Sequence, residues 1–147
     1  MITEDYVSFE VAKLLKEKGF NEDCLKVYIN GELKNVITKE SIGECTHCYN
    51  SWLYPGDATA PTHQMAMKWL RETYKLHIEV EALKPYVLDN TKKRTVPSDR
   101  VEFHASIIFT DQWNDALEEF KNTWVGWYST YEEAVEAALK YCLTNLI

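Results

Sequence analysis

The sequence predicts an α+β fold: an antiparallel β-meander packed by helices, with a further helix and a β-hairpin in front of it. Three observations carry that expectation. From Tyr131 to Leu146, the residues Tyr131, Val135, Ala138, Leu139, Cys142 and Leu146 fall on one helical face. Leu76, Ile78, Val80 and Ala82 alternate with His77, Glu79 and Glu81, which is the period of a half-buried strand. Asn30-Gly31, the dipeptide favoured in type I′ hairpin turns, separates the extended runs LKVYI and ELKNVI.

The elements follow in chain order. Between Glu4 and Lys18, the residues Val7, Val11, Leu14 and Leu15 share a helical face that Thr3 or Ser8 can cap. Gly19 suits the left-handed position after that helix, and Phe20 follows where an apolar contact back to Leu15 is expected. The hairpin comes next. From Thr38 to Pro61 no period persists, although NSWLY can form a short edge strand. PTHQMAMKWLRETY reads as the second helix, with Thr62 as N-cap or Pro61 in its first turn, and Met65, Ala66, Trp69 and Leu70 facing the core. The strand at Leu76–Ala82 is followed by DNTKKRTVPSD, a basic stretch of turn-forming residues that reads as an exposed loop.

A strand is expected from Val101 to Phe109, a helical turn at the start of Asp111–Asn122, and a last strand from Thr123 to Tyr128 with Trp124, Gly126 and Tyr128 on one side. Thr130 and Glu133 stand at capping-box spacing at the head of the final helix, whose residues Glu132, Glu136 and Lys140 read as its outward face. From Pro61 onward the order is α-β-β-β-α, the topology of double-stranded RNA-binding domains. That module meets phosphate with basic residues at the start of its last helix, where this chain has Tyr131-Glu132-Glu133-Ala134. The topology is similar, but RNA binding is not expected.

Composition narrows the classes further. A chain of 147 residues with 46% hydrophobic and 27% charged residues is ordinary for a globular protein, and residues 1–147 are expected to form a single domain. A net charge of -7 makes nucleic acid a disfavoured partner. No apolar run approaches the roughly 20 residues that span a bilayer, and the opening residues MITEDYVSFE lack the basic start of a signal peptide. A cytoplasmic protein without membrane contact is expected. Its four cysteines are expected to stay as thiols there.

Three sets of residues are candidates for chemistry or binding. Cys45-Thr46-His47-Cys48 has the spacing by which two thiolates share a zinc ion, but a structural site needs two further ligands and no second pair exists. No metal or other cofactor is therefore expected. His77, Glu79 and Glu81 share a strand face, and Glu102 with His104 can stand beside them if the strands are neighbours. Such a cluster suits general acid-base work or a divalent metal, whereas a half-open antiparallel sheet would simply expose those side chains to water. Trp52, Tyr54, Trp113, Trp124, Trp127 and Tyr128 lie outside the helical stripes. Core packing is the ordinary expectation for each, and an exposed subset, with Trp52, Tyr54, Trp113 and Trp127 the candidates, would make a binding surface. No Walker loop, G-x-G-x-x-G, G-x-S-x-G or H-E-x-x-H is present.

SFEVAKLLKEKGF, APTHQMAMKWLRE and YSTYEEAVEAALKYCL together resemble a family of small uncharacterised proteins of gut Bacteroides and their phages and prophages. The resemblance implies a bacterial cytoplasm and carries no known activity. It favours a noncatalytic accessory protein that binds another protein. A small-ligand or metal-binding enzyme built on His77, Glu79, Glu81, Glu102 and His104 is the alternative.

Overall fold

The computed structural model describes residues 1–36 and 47–147. The first eight residues run extended instead of helical, because Val7 N–H donates to Pro61 O at 3.1 Å and Tyr6 bridges Thr62. Helix α1 (Phe9–Glu17) accordingly starts after Ser8, whose hydroxyl accepts from Val11 N–H at 3.2 Å, and Thr3 takes no part. Its C-terminus follows the expected Schellman pattern. Gly19 adopts φ +92°, its N–H donates to Lys16 O, and Phe20 N–H donates to Leu15 O at 2.9 Å.

Strands β1 (Lys26–Ile29) and β2 (Glu32–Asn35) pair across Asn30 and Gly31, whose φ values of 52° and 79° are those a type I′ turn requires. The expected edge strand at NSWLY is instead a 3₁₀ turn, Asn50–Trp52. The reason is the Asn50 side chain: its amide donates to Phe20 O at 2.7 Å and its carbonyl accepts from Thr59 N–H at 2.9 Å, a clamp that takes the place of ladder bonds. Strand β3 (Ala58–Thr59) then joins the free side of β1, giving a small sheet of order β2-β1-β3.

Helix α2 (His63–Tyr74) is capped by Thr62, which accepts from Met65 N–H at 3.2 Å. Strand β4 (Leu76–Leu83) follows. The basic stretch expected as loop is a two-stranded ribbon, β5 (Tyr86–Asp89) and β6 (Arg94–Pro97), closed by the turn that holds Lys92 and Lys93. Strand β7 (Glu102–Asn114) pairs with β4 and with β8 (Glu119–Tyr128), so the main sheet has the order β4-β7-β8. No helical turn opens at Asp111. The two strands run on past the body of the sheet as an arm, where Trp113 pairs with Phe120 at a ring separation of 4.9 Å.

Helix α3 (Tyr131–Tyr141) opens with Thr130 accepting from Glu133 N–H at 3.2 Å, as its capping box requires. Its last turn, Cys142–Leu146, is π-helical, and that wider turn brings Leu143 into the core while Leu146 stays half-buried. The helices cover one face of the main sheet. Leu76, Ile78, Ala105, Ile107 and Phe109 from the sheet meet Val11, Leu15, Leu70, Val135, Ala138 and Leu139 in one core. The meander covered on one side is thus the predicted α+β arrangement, with the small sheet flanking it. No helix among the described residues is long and apolar enough to cross a membrane.

Candidate binding surface

The uncovered face of the main sheet is set by strand parity. On β4 it carries His77, Glu79 and Glu81, and on β7 it carries Glu102, His104, Ser106 and Ile108, since the intervening residues face the helices. On β8 simple alternation would send Trp124 and Trp127 to opposite sides. A bulge prevents this: Gly126 pairs with Ala105 and Trp124 with Ser106, so Val125 is the extra residue. Trp124 and Trp127 therefore both point away from the core, while Val125 and Tyr128 pack against it.

Register decides which polar candidates meet. Glu81 lies directly opposite His104, and Glu79 opposite Ser106. His77 pairs with Ile108, four residues along the strand from His104, so the two imidazoles stand about 13 Å apart at the rise of a β-strand and cannot ligate one ion. Among the described residues no three His, Cys, Asp or Glu side chains cluster as a metal site. The true neighbours of Glu102 are Arg100, at 2.6 Å, and His104, at 3.0 Å. Arg100 in turn stacks over the Trp127 ring at 5.1 Å, and the His104 ring lies 6.5 Å from that of Trp124. Glu102 is thus a nearly buried anchor that fixes a cation against one tryptophan and an imidazole beside the other.

Core packing, the ordinary expectation for the aromatic candidates, fails for most of them. Trp52 is 60% exposed, Tyr54 81%, Trp113 52%, Trp124 60% and Trp127 48%. They occupy three places. Trp52 and Tyr54 sit on the loop between β2 and β3, which Lys16 ties to α1 by donating to Tyr54 O and Asp57 O. Trp113 is on the arm, and Trp124 with Trp127 forms the pair on the sheet. Of the two proposed zinc thiols, Cys45 lies outside the described residues. Cys48 is buried, and its backbone exchanges hydrogen bonds of 2.9 and 3.0 Å with that of Cys24. Burial pushes the Cys24 thiol up to about 11, far from the reactive range of a redox pair.

A further pair escaped the sequence reading. Glu136, assigned to the outward face of α3, turns toward α2, where its Oε2 lies 2.8 Å from Nε2 of the buried His63 and its Oε1 accepts from Ser8 N–H at 2.8 Å. Burial acts to raise the Glu136 carboxyl, but the bonds from His63 and Ser8 outweigh it and hold the group below its ordinary value. Lys140, four residues on from Glu136, reaches Glu10 on α1 at 2.9 Å. A histidine oriented by a carboxylate is half of a general-base constellation. The Ser8 hydroxyl caps α1 by accepting from Val11 N–H. The pair ties the starts of α1 and α2 to α3.

These features define an α+β chain with a half-open sheet whose bare face carries an anchored tryptophan pair. Comparison with protein-family models, curated proteins and solved structures gave no match to the chain.

Proposed function

We propose that the chain is a noncatalytic protein-binding module, an accessory protein of the phage or prophage type acting in the bacterial cytoplasm, which engages its partner through Trp124 and Trp127. The observation that supports this most is the Val125 bulge, which turns both rings to solvent on a rigid strand. Large aromatics in such positions are the usual energetic centres of protein interfaces. Arg100 and Glu102 hold Trp127 in place before binding, which lowers the ordering cost of association. Glu79 and Glu81 share that face on β4, across β7 from the pair, so the partner is a protein presenting apolar groups beside basic ones, and not a nucleic acid.

The test uses the tagged full chain and a Trp124→Ser/Trp127→Ser double variant against extracts of lysogenic Bacteroides cells. The wild type should retain one stoichiometric protein that the variant loses. With the purified partner, calorimetry should show affinity reduced at least thirtyfold, as removal of a hot-spot residue worth about 2 kcal/mol implies. A partner that binds both forms equally, or no partner at all, would reject this assignment and favour a small-ligand site.

A further inference from the structure

We infer that two copies of this chain associate about a two-fold axis, the β5–β6 ribbon of each lying against the β7–β8 arm of the other. The first ground is the ribbon itself. Beyond pairing with each other, β5 and β6 make only sparse contact with the rest of the fold. A lone two-stranded ribbon is marginal in water, and this one exposes Tyr86, Val87 and Leu88. Something must cover those side chains if the ribbon is to hold its shape.

The second ground is charge. Between Leu83 and Arg100 the chain has four basic residues, Lys84, Lys92, Lys93 and Arg94, against Asp89 and Asp99, a surplus of two positive charges in a chain whose net charge is -7, Arg100 being paired with Glu102. Between Asp111 and Lys121 it has Asp111, Asp115, Glu118 and Glu119 against Lys121 alone, a surplus of three negative charges. Lys84, Lys93 and Arg94, like the four acids of the arm, form no ion pair among the described residues. The arm also exposes apolar groups to match those of the ribbon, in Trp113, Leu117 and Phe120.

The third ground is placement. Glu102, at the root of the ribbon, and Asn114, at the tip of the arm, are the two ends of β7, at most about 40 Å apart at the rise of an extended strand. Opposite charges thus stand toward opposite ends of one strand, whose arm half is offset by the irregularity between Ile108 and Trp113. Two copies laid antiparallel join both ends at once, so each dimer has two equivalent contacts and no ribbon or arm is left over. Head-to-tail stacking would satisfy only one contact per junction and propagate into filaments. The two-fold arrangement is the one that closes. It uses surfaces other than Trp124 and Trp127, so it stands or falls apart from the partner proposed above.

Sedimentation velocity on the full chain between about 1 and 100 µM tests the inference, with Debye screening as the control variable. At 50 mM NaCl the species should have twice the 17.2 kDa chain mass, with the dimer weakened at least tenfold at 500 mM. Lys92→Glu/Lys93→Glu/Arg94→Glu reverses the ribbon, and Asp115→Lys/Glu118→Lys/Glu119→Lys reverses the arm. Each variant alone should be monomeric with an unchanged circular dichroism spectrum, because each now carries like charges at both ends. Mixed in equal amounts they should form a heterodimer, since every contact again joins opposite charges. A monomeric wild type at 100 µM, a dimer indifferent to either reversal, or a mixture that stays monomeric would each overturn the arrangement. Binding of the wild type to a different acidic protein, with no self-association, would overturn it in favour of that occupant.

Discussion

Replacing Glu136 with Ala removes the acceptor for two donors at once, the His63 imidazole and the Ser8 N–H. Hydrogen bonds to a charged group contribute about 1.5–3 kcal/mol each when buried, and loss of the acceptor leaves His63, whose side chain is only 9% exposed, without its partner. The Glu136 side chain is 27% exposed, so solvent screens part of this; the expected cost is about 2–3 kcal/mol after that reduction. For a chain of this size, that lowers Tm by about 5–10 °C. Glu136→Gln retains an oxygen for one donor and should cost about half as much. Because the folded-state carboxyl lies below its ordinary value of 4.5, its contribution is complete above that value and is lost as pH falls through the lower, folded one. Urea titrations followed by circular dichroism at pH 6, 4 and 3 measure both effects. A cost under about 0.5 kcal/mol, or a wild-type advantage that does not narrow on acidification, would refute the reasoning.

Leu139→Ala empties a fully buried site between α3 and the sheet, and should destabilise the chain by about 3–4 kcal/mol in the same titration. Acrylamide should quench most of the native tryptophan fluorescence, since Trp52, Trp113, Trp124 and Trp127 are exposed and only Trp69 packs on the core; a blue, protected spectrum would contradict their placement. Burial pushes Cys142 up to about 12 and Cys24 up to about 11, so neither thiol should react with a disulfide reagent at pH 8 until the chain is unfolded, and fast labelling of either in the native state would show that the site opens.

Much of the scaffold is legible in the sequence because its signals are local. Ser8, Thr62 and Thr130 cap the helices that follow them, Gly19 ends α1, and Asn30-Gly31 closes the first hairpin, each through bonds between near neighbours. The apolar periods of β4 and α3 are legible for a related reason: each records burial against the chain's own core. The ribbon and the arm bury no face against that core, so their residues carry no period, and they read as loop and weak helix. The bulge at Val125 escapes because alternation counts residues, and one extra residue reverses the parity of everything beyond it. Glu136 escapes for a different reason. Its spacing to Lys140 is that of a solvent pair on one helix, whereas its real partners, His63 and Ser8, are distant in sequence and meet it only once three helices have packed. Of the polar sheet candidates, the neighbourhood of Glu102 and His104 is readable from period, but the separation of His77 depends on cross-strand register, which no single strand encodes.

Val125 in β8 and the π turn at Cys142–Leu146 at the end of α3 are each places where a regular element holds one residue more than its ideal repeat. Val125 sits where β8 first reaches the core, since Glu119–Trp124 are largely exposed while Val125 and Tyr128 pack against it, and the π turn follows the stretch of α3 that carries Val135 and Leu139. Chain length is therefore itself informative here. Deleting Val125 would leave the composition of β8 almost unchanged yet bring Trp127 round to the helix side, where Tyr128 now fills the space, and turn Tyr128 outward. The presentation of the tryptophan pair is encoded in a count as much as in the identities of the residues counted.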